Sequence, residues 1–159
     1  FCRSRGIPMA IVSQGLDFYI EALLEKEGYT RIPVYAVNAQ FTPQGITYEY
    51  RHTRPGQAVK GNSKGLVVER YRQKGHYVFY AGDGVSDFEA ASRADLLFAH
   101  KTLAEECVRS DIPFRPFTDF RGMLLALQEY HRDGQRPGQG VNPTGASSGG
   151  PDGRAEVSP

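Results

Sequence analysis

Two aspartates four residues apart, Asp83 and Asp87, follow the apolar run Tyr77-Val78-Phe79-Tyr80 in the segment YVFYAGDGVSDFEAA. Carboxylates held near one another are hard oxygen donors, which suit Mg²⁺ better than a soft-ligand metal. The run before them is short, β-branched and aromatic, as a buried parallel strand should be, and Gly82 and Gly84 close it in a turn. Asp83 is thereby placed at the carboxyl end of a strand, the edge where open α/β sheets bind their ligands. Both carboxylates are expected on one metal-sized site, within roughly 7 Å of each other. The same residues also have a purely structural reading. Asp-Gly is a common turn pair, and Ser86 with Glu89 three residues later makes a capping box for the next helix.

Other polar side chains fall at similar places. Ser13 follows an apolar strand at residues 9–12, where it is either a ligand-binding hydroxyl or the N-cap of the next helix. Lys64 opens a helix behind Asn62 and Ser63, and a solvated helix lysine is the ordinary alternative there. Asp17 and Tyr19 lie beside a helix start, where a carboxylate compensates the dipole. His52 and Arg54 stand in a polar loop from which they either reach a ligand or stay solvated. His76, His100 and His131 have no ligand spacing and are read as structural or surface residues. Cys2 and Cys107 are far apart, without redox or metal spacing, and are expected as free thiols.

The elements that must position these residues follow from periodicity and punctuation. A helix end at residues 1–6 leads into the strand at 9–12, a turn at Ser13-Gln14-Gly15, and a helix over 16–28 with Leu16, Ile20, Leu23 and Leu24 on one face. A second strand spans 33–37. Pro43-Gln44-Gly45 then separates two alternating segments, the signature of a hairpin within residues 38–51. Beyond the polar loop 52–63 come a helix over 64–74, the Asp83 strand, a short helix over 87–93, a strand over 96–99, a helix over 103–109, and an amphipathic helix over 120–131. Strands alternating with helices on short connections mean an α/β fold with a doubly wound parallel sheet.

A chain of 159 residues with 40% apolar content buries one domain core. Residues 1–132 are read as that domain, and the Gly- and Pro-rich stretch 133–159 as a disordered tail unable to offset its ordering entropy. With 19 basic against 18 acidic residues and a net charge of +1, the chain carries no electrostatic footprint for nucleic acid or an anionic membrane. No apolar run approaches the roughly 20 residues of a membrane span, and no signal peptide opens the chain. A cytoplasmic location is expected. Oligomeric state is not legible.

In their order and setting, three segments resemble the motifs of the haloacid-dehalogenase-like (HAD) phosphatases. Ile11-Val12-Ser13-Gln14-Gly15 resembles the family's second motif, whose hydroxyl and neighbouring backbone N–H groups bind the transferring phosphoryl group. Asn62-Ser63-Lys64-Gly65 resembles the third, in which the lysine neutralises the phosphate and the aspartyl nucleophile. Gly82-Asp83-Gly84-Val85-Ser86-Asp87 resembles the fourth, in which the first Asp binds Mg²⁺ and the second supports the metal or its waters. The resemblance spans about residues 1–130 and is nearest the phosphoserine-phosphatase-like branch, among its members the methionine-salvage enolase-phosphate phosphatases. It implies a HAD-like Rossmannoid sheet with a β-hairpin insertion, a small phosphorylated metabolite as substrate, Lys64 and Asp83 as catalytic residues, Ser13, Gln14, Gly15 and Lys64 on the phosphate, and Asp83 and Asp87 on the metal.

One part of the pattern is missing. The family's first motif, an Asp-x-Asp pair whose first member is the nucleophile, belongs upstream of residue 1. Asp95 introduces a strand, and Asp111 and Asp119 fall in late connections, so none replaces it. The resemblance therefore implies the C-terminal portion of a phosphatase, incomplete at its N-terminus, inactive alone, and left with either a gap between unpaired edges or two strands forced together. The alternative is a non-catalytic α/β binding module or a degenerate relative of the family. A Rossmann dinucleotide site is disfavoured, because no Gly-x-Gly-x-x-Gly follows any strand.

Overall fold

The computed structural model describes residues 1–56 and 61–133. Its strands are β1 (Ile11–Leu16), β2 (Val34–Thr42), β3 (Gly45–Glu49), β4 (Phe79–Gly82), β5 (Leu96–Ala99) and β6 (Arg115–Pro116). Its helices are α1 (Asp17–Lys26), α2 (Lys64–Gln73), α3 (Phe88–Ala91), α4 (Lys101–Arg109) and α5 (Arg121–Asp133). The expected helix end at residues 1–6 is a short 3₁₀ turn, Arg3–Arg5, closed by Gly6 in the left-handed region. The tail from residue 134 onward lies outside the described residues.

The strands form two three-stranded sheets, β1-β2-β3 and β4-β5-β6, rather than one continuous sheet. β1 pairs with β2 in parallel, β4 with β5 and β5 with β6 likewise, and only the β2–β3 hairpin is antiparallel. Of the two outcomes expected for the missing strand, the open one is found. Among the described residues β1 and β4 each leave one edge unpaired and the two sheets are not joined.

Two boundaries differ from the sequence reading for identifiable reasons. Ser13, Gln14 and Gly15 belong to β1 and not to a turn after it, since pairing with β2 extends the strand to Leu16↔Val37 across an irregularity. The second strand and the first arm of the hairpin are one nine-residue strand, which pairs with β1 through its first half and with β3 through its second. β6 is too short for periodicity to reveal and exists only because β5 offers it a parallel edge.

Helices cover both faces of the β4–β5 pair. Tyr80, Leu97 and Ala99 point to one side, where they pack with Val68 of α2, Ala90 and Ala91 of α3, and Leu103 and Cys107 of α4. Phe79, Ala81, Leu96 and Phe98 point to the other, against Met123 and Ala126 of α5 and Phe117. This alternation is the period-two signature of a strand buried on both faces. It fixes which side each polar group at the strand end must reach.

Candidate active site

β4 ends at Gly82, and Asp83 and Gly84 lead into a 3₁₀ turn at Val85–Asp87. That turn sends Asp87 back beneath its own loop. The Asp87 side chain is buried, and four donors converge on it. Oδ1 accepts from Lys64 Nζ at 2.7 Å and from the Tyr80 hydroxyl at 2.6 Å, while Oδ2 accepts from the backbone N–H of Asp83 at 3.1 Å and of Gly84 at 3.0 Å. A carboxylate offers about four lone-pair sites, so its acceptor capacity is filled. Burial pushes the Asp87 carboxyl upward, but the hydrogen bonds from Lys64, Tyr80 and Gly84 outweigh it and hold the group below its usual range. Burial, reinforced by the Asp87 carboxylate, pushes the Tyr80 hydroxyl far above its ordinary value.

Gly82 permits this arrangement. A Cβ at that position would lie 2.6 Å from Asp87 Cγ and 2.7 Å from its Cβ, so any larger residue would displace the carboxylate.

Asp83 points the other way. Its side chain is 58% exposed and pairs with Lys101 Nζ at 3.3 Å, at the first residue of α4. The backbone carbonyl of Asp83 accepts from Leu103 N–H at 3.1 Å, which ties the loop to that helix. The two aspartates of the motif therefore have separate surroundings, one exposed and one filled. Asp83 suits a hard, water-rich cation such as Mg²⁺, which is commonly held by one or two carboxylates. Among the described residues no three His, Cys, Asp or Glu side chains come together as a metal cluster.

Lys64 is brought to Asp87 by the head of α2. Ser63 is the N-cap, its Oγ accepting from Leu66 N–H at 3.0 Å and donating to Glu89 Oε2 at 2.7 Å. The Ser86–Glu89 capping box of the alternative, purely structural reading is absent, because Glu89 turns its carboxylate to Ser63 and to Arg54, whose Nη2 stands 3.1 Å away. Arg54 also reaches Glu69 at 2.8 Å, so it is a paired loop residue. Glu89 packs so closely on Gly65 that a Cβ there would lie 2.6 Å from Glu89 Cγ.

β1 supplies the opposite wall. Gln14 Nε2 donates to the Asn62 carbonyl, bridging the strand to the approach of α2. Ser13 Oγ accepts from Gly15 N–H at 2.9 Å, and the N-cap position of α1 is Leu16, so Ser13 does not cap that helix. Gly15 is held against Tyr19, whose hydroxyl oxygen would be 1.8 Å from an added Cβ. Asp17 latches α1 to β2, accepting from Asn38 Nδ2 at 2.5 Å and from Ala39 N–H at 3.1 Å in addition to Phe18 N–H.

Between these walls lies a cleft of about 580 Å³, lined among others by Gln14, Arg54, Asn62, Lys64, Val85 and Ser86. The structure thus brings Gln14 and Lys64 to one cavity although 50 positions separate them in the sequence. Ser13 and Asp83 are outside its lining, Ser13 next to Gln14 on β1 and Asp83 on the loop that Asp87 holds. His76 packs obliquely on Tyr71 and His100 on Phe117, while His131 meets Phe1 edge-on, placements that fit structural or surface residues. Tyr80 is the site residue that sequence reading passed over. Its place in a short apolar run marks it as part of a buried strand, and nothing local shows that its hydroxyl ends on Asp87.

Residues 1–92 match the family model described as haloacid dehalogenase-like hydrolase. Among curated proteins, the chain is 31% identical over 135 residues to the 2-hydroxy-3-keto-5-methylthiopentenyl-1-phosphate phosphatase of Lysinibacillus sphaericus, covering 81% of this chain and 59% of that protein. It is 34% identical over 134 residues to the bifunctional enzyme MtnB/MtnX of Bacillus licheniformis, covering 81% of this chain and 30% of that one. Among solved structures, an apo phosphoserine phosphatase superposes with a TM-score of 0.52 at 22% identity, over 77% of this chain and 60% of that one. The chain spans about three-fifths of the length of its single-function phosphatase relatives, 59% for the Lysinibacillus sphaericus protein. With more than half of its length matched by the family model, and with the three motif segments set around the ends of β1, β4 and α2, this chain belongs to the haloacid dehalogenase-like hydrolases.

Proposed function

We propose that this chain is the C-terminal portion of a Mg²⁺-dependent phosphomonoester hydrolase acting on a small phosphorylated metabolite, of the kind named in its methylthiopentenyl-phosphate relatives. The observation that carries the reading is Lys64, a buried ammonium fixed by Asp87 at 2.7 Å in the wall of the cleft. A phosphate monoester dianion repels an attacking carboxylate, and a preorganised cation in a water-poor site lowers that repulsion. Asp87 keeps Lys64 in place, Tyr80 shares the load on the same oxygen, and Gln14 walls the cleft from β1, with Ser13 and Gly15 flanking it in that strand. Asp83, on the loop that Asp87 braces through its amides, would hold Mg²⁺, which would supply further neutralisation of phosphate charge.

Three of the described aspartates other than Asp83 and Asp87 have evident structural tasks. Asp17 latches β2, Asp95 accepts from Val78 N–H at 2.8 Å, and Asp119 accepts from Arg121 N–H at 2.8 Å. The aspartyl nucleophile of the family reaction therefore has no candidate among them, and residues 1–159 alone are expected to hydrolyse no phosphate ester. The open edges of β1 and β4 are where a strand bearing it would pair. The test adds, fused or in trans, the part of the Lysinibacillus sphaericus relative that the match leaves out, and follows release of phosphate from an aryl phosphate with Mg²⁺. Activity that appears only with the added segment and is lost in Asp83→Asn supports the reading. Hydrolysis by the chain alone, abolished by Asp83→Asn, would show the nucleophile to be misplaced, and inactivity of every combination would favour a non-catalytic binding module.

A further inference from the structure

Asn62 stands just before the N-cap of α2 and is only 3% exposed. Its main-chain carbonyl accepts from Gln14 Nε2, and its Oδ1 accepts from the His52 backbone N–H at 3.1 Å. A backbone N–H needs an acceptor, so this bond fixes the orientation of the side-chain amide and makes its other end, Nδ2, the donor. That Nδ2 is the one buried side-chain nitrogen or oxygen without a hydrogen-bond partner among the described residues. Buried donors are paired almost everywhere in folded proteins, because an unpaired one forfeits the hydrogen bonds that water gave it. Asn62 also lines the cleft that Lys64 enters.

Gln14, placed on phosphate by the motif resemblance, has one of its two amide hydrogens committed to Asn62, and its Oε1 rests where a Cβ on Gly61 would approach to 2.9 Å. Gly61, at φ +79°, leaves room for that contact in a conformation other residues avoid. The segment 61–63 is thus clamped from both sides, by Gln14 and by His52, whose carbonyl accepts from Ser63 N–H at 2.7 Å. Clamping of this kind holds a donor in position before a ligand arrives, so that little ordering remains to be done on binding.

We propose that Asn62 is a further ligand-binding residue of the cleft, its Nδ2 donating to an anionic oxygen of a phosphoryl group held beside Lys64. This rests on the phosphatase reading and adds to it a donor that the motif does not assign. Gln14 becomes a positioning residue that sets Asn62 rather than a phosphate contact.

The test is a titration of the ¹⁵N-labelled full chain with inorganic phosphate, reading the Asn62 side-chain amide, identified by its loss in Asn62→Asp, alongside the backbone amide of Lys64. Both signals are expected to shift with one midpoint. Asn62→Asp keeps the acceptor for His52 and Asn62→Ala adds no charge, and each is expected to weaken phosphate binding roughly ten- to a hundredfold, as for a lost hydrogen bond to a charged group. If phosphate moves Lys64 but not the Asn62 side chain, or binds Asn62→Ala with unchanged affinity, a buried water or plain packing explains Nδ2 and the inference falls while the phosphatase reading stands. If the wild-type chain binds no phosphate at tens of millimolar, the anion site itself falls, and the inference with it.

Discussion

Replacing Asp87 by Asn should unfold this chain more readily than any other single-atom change near the cleft. The carboxylate receives four donors, at 2.7, 2.6, 3.1 and 3.0 Å. An amide has one oxygen to offer and turns an N–H₂ donor toward the remaining two. With the oxygen toward Lys64 and Tyr80, the N–H groups of Asp83 and Gly84 lose their acceptor. With the oxygen toward those amides, the Lys64 ammonium is buried without a counter-charge. Two orphaned donors at about 1–3 kcal/mol each come to about 2–6 kcal/mol, which brackets the about 3–5 kcal/mol of a broken buried ion pair, so a loss of about 3–5 kcal/mol is expected. That is a large fraction of the stability of an ordinary domain.

The assay is urea denaturation at neutral pH with linear extrapolation, for Asp87→Asn, Lys64→Met and the double variant. The double variant should lose less than the sum of the singles, because removing Lys64 removes the uncompensated charge. The wild-type contribution also has a defined pH window. The folded pKa of Asp87 is lowered, so its stabilisation is complete above the unfolded value, about 3.9 for an aspartate, and is lost as pH falls through the folded value. An Asp87→Asn protein within about 1 kcal/mol of wild type, below the smallest cost argued for a single orphaned donor pair, would refute the reading of Asp87 as a filled anchor.

Further expectations follow from the same geometry. Tyr80→Phe removes one donor to a charged acceptor and should cost about 1.5–3 kcal/mol in the same urea assay. Gly82→Ala drives a methyl into Asp87 at 2.6 Å and should cost about 1–3 kcal/mol by overpacking, read as a lower thermal midpoint. Asp83→Asn should leave stability within about 1 kcal/mol, since its exposed pair with Lys101 is worth little, yet it should abolish binding of Mn²⁺ followed by electron paramagnetic resonance. Burial, with Arg70 and Arg51 nearby, holds the His52 pKa below its ordinary 6.5, so the unfolded chain takes up its proton first and stability should fall as pH drops below that value. The corresponding slope should vanish in His52→Gln.

Local rules carried the sequence a long way. Strand, turn and helix around Asp83 were legible because an apolar run, two turn glycines and a following helix are written in adjacent residues. The order of Ser13, Lys64 and Asp83 identified the family for the same reason, and an incomplete sheet was expected from what that order lacked. Tertiary structure decided what depended on residues distant in the chain. Ser86 and Glu89 have the spacing of a capping box, but Glu89 is drawn to Ser63 and Arg54, 26 and 35 residues away. Asp83 and Asp87 look like a matched pair in sequence, and they part because Lys64, 23 residues away from Asp87, and the core-facing Tyr80 claim one of them from below. The buried nitrogen left wholly unpaired beside the cleft belongs to Asn62 and not to Gln14, since the Gln14 amide meets a backbone carbonyl 48 residues along the chain. Spacing along the chain determines which residues arrive together at a strand end. Which of them stay free to bind a ligand depends on donors and acceptors that meet only after the sheets have formed.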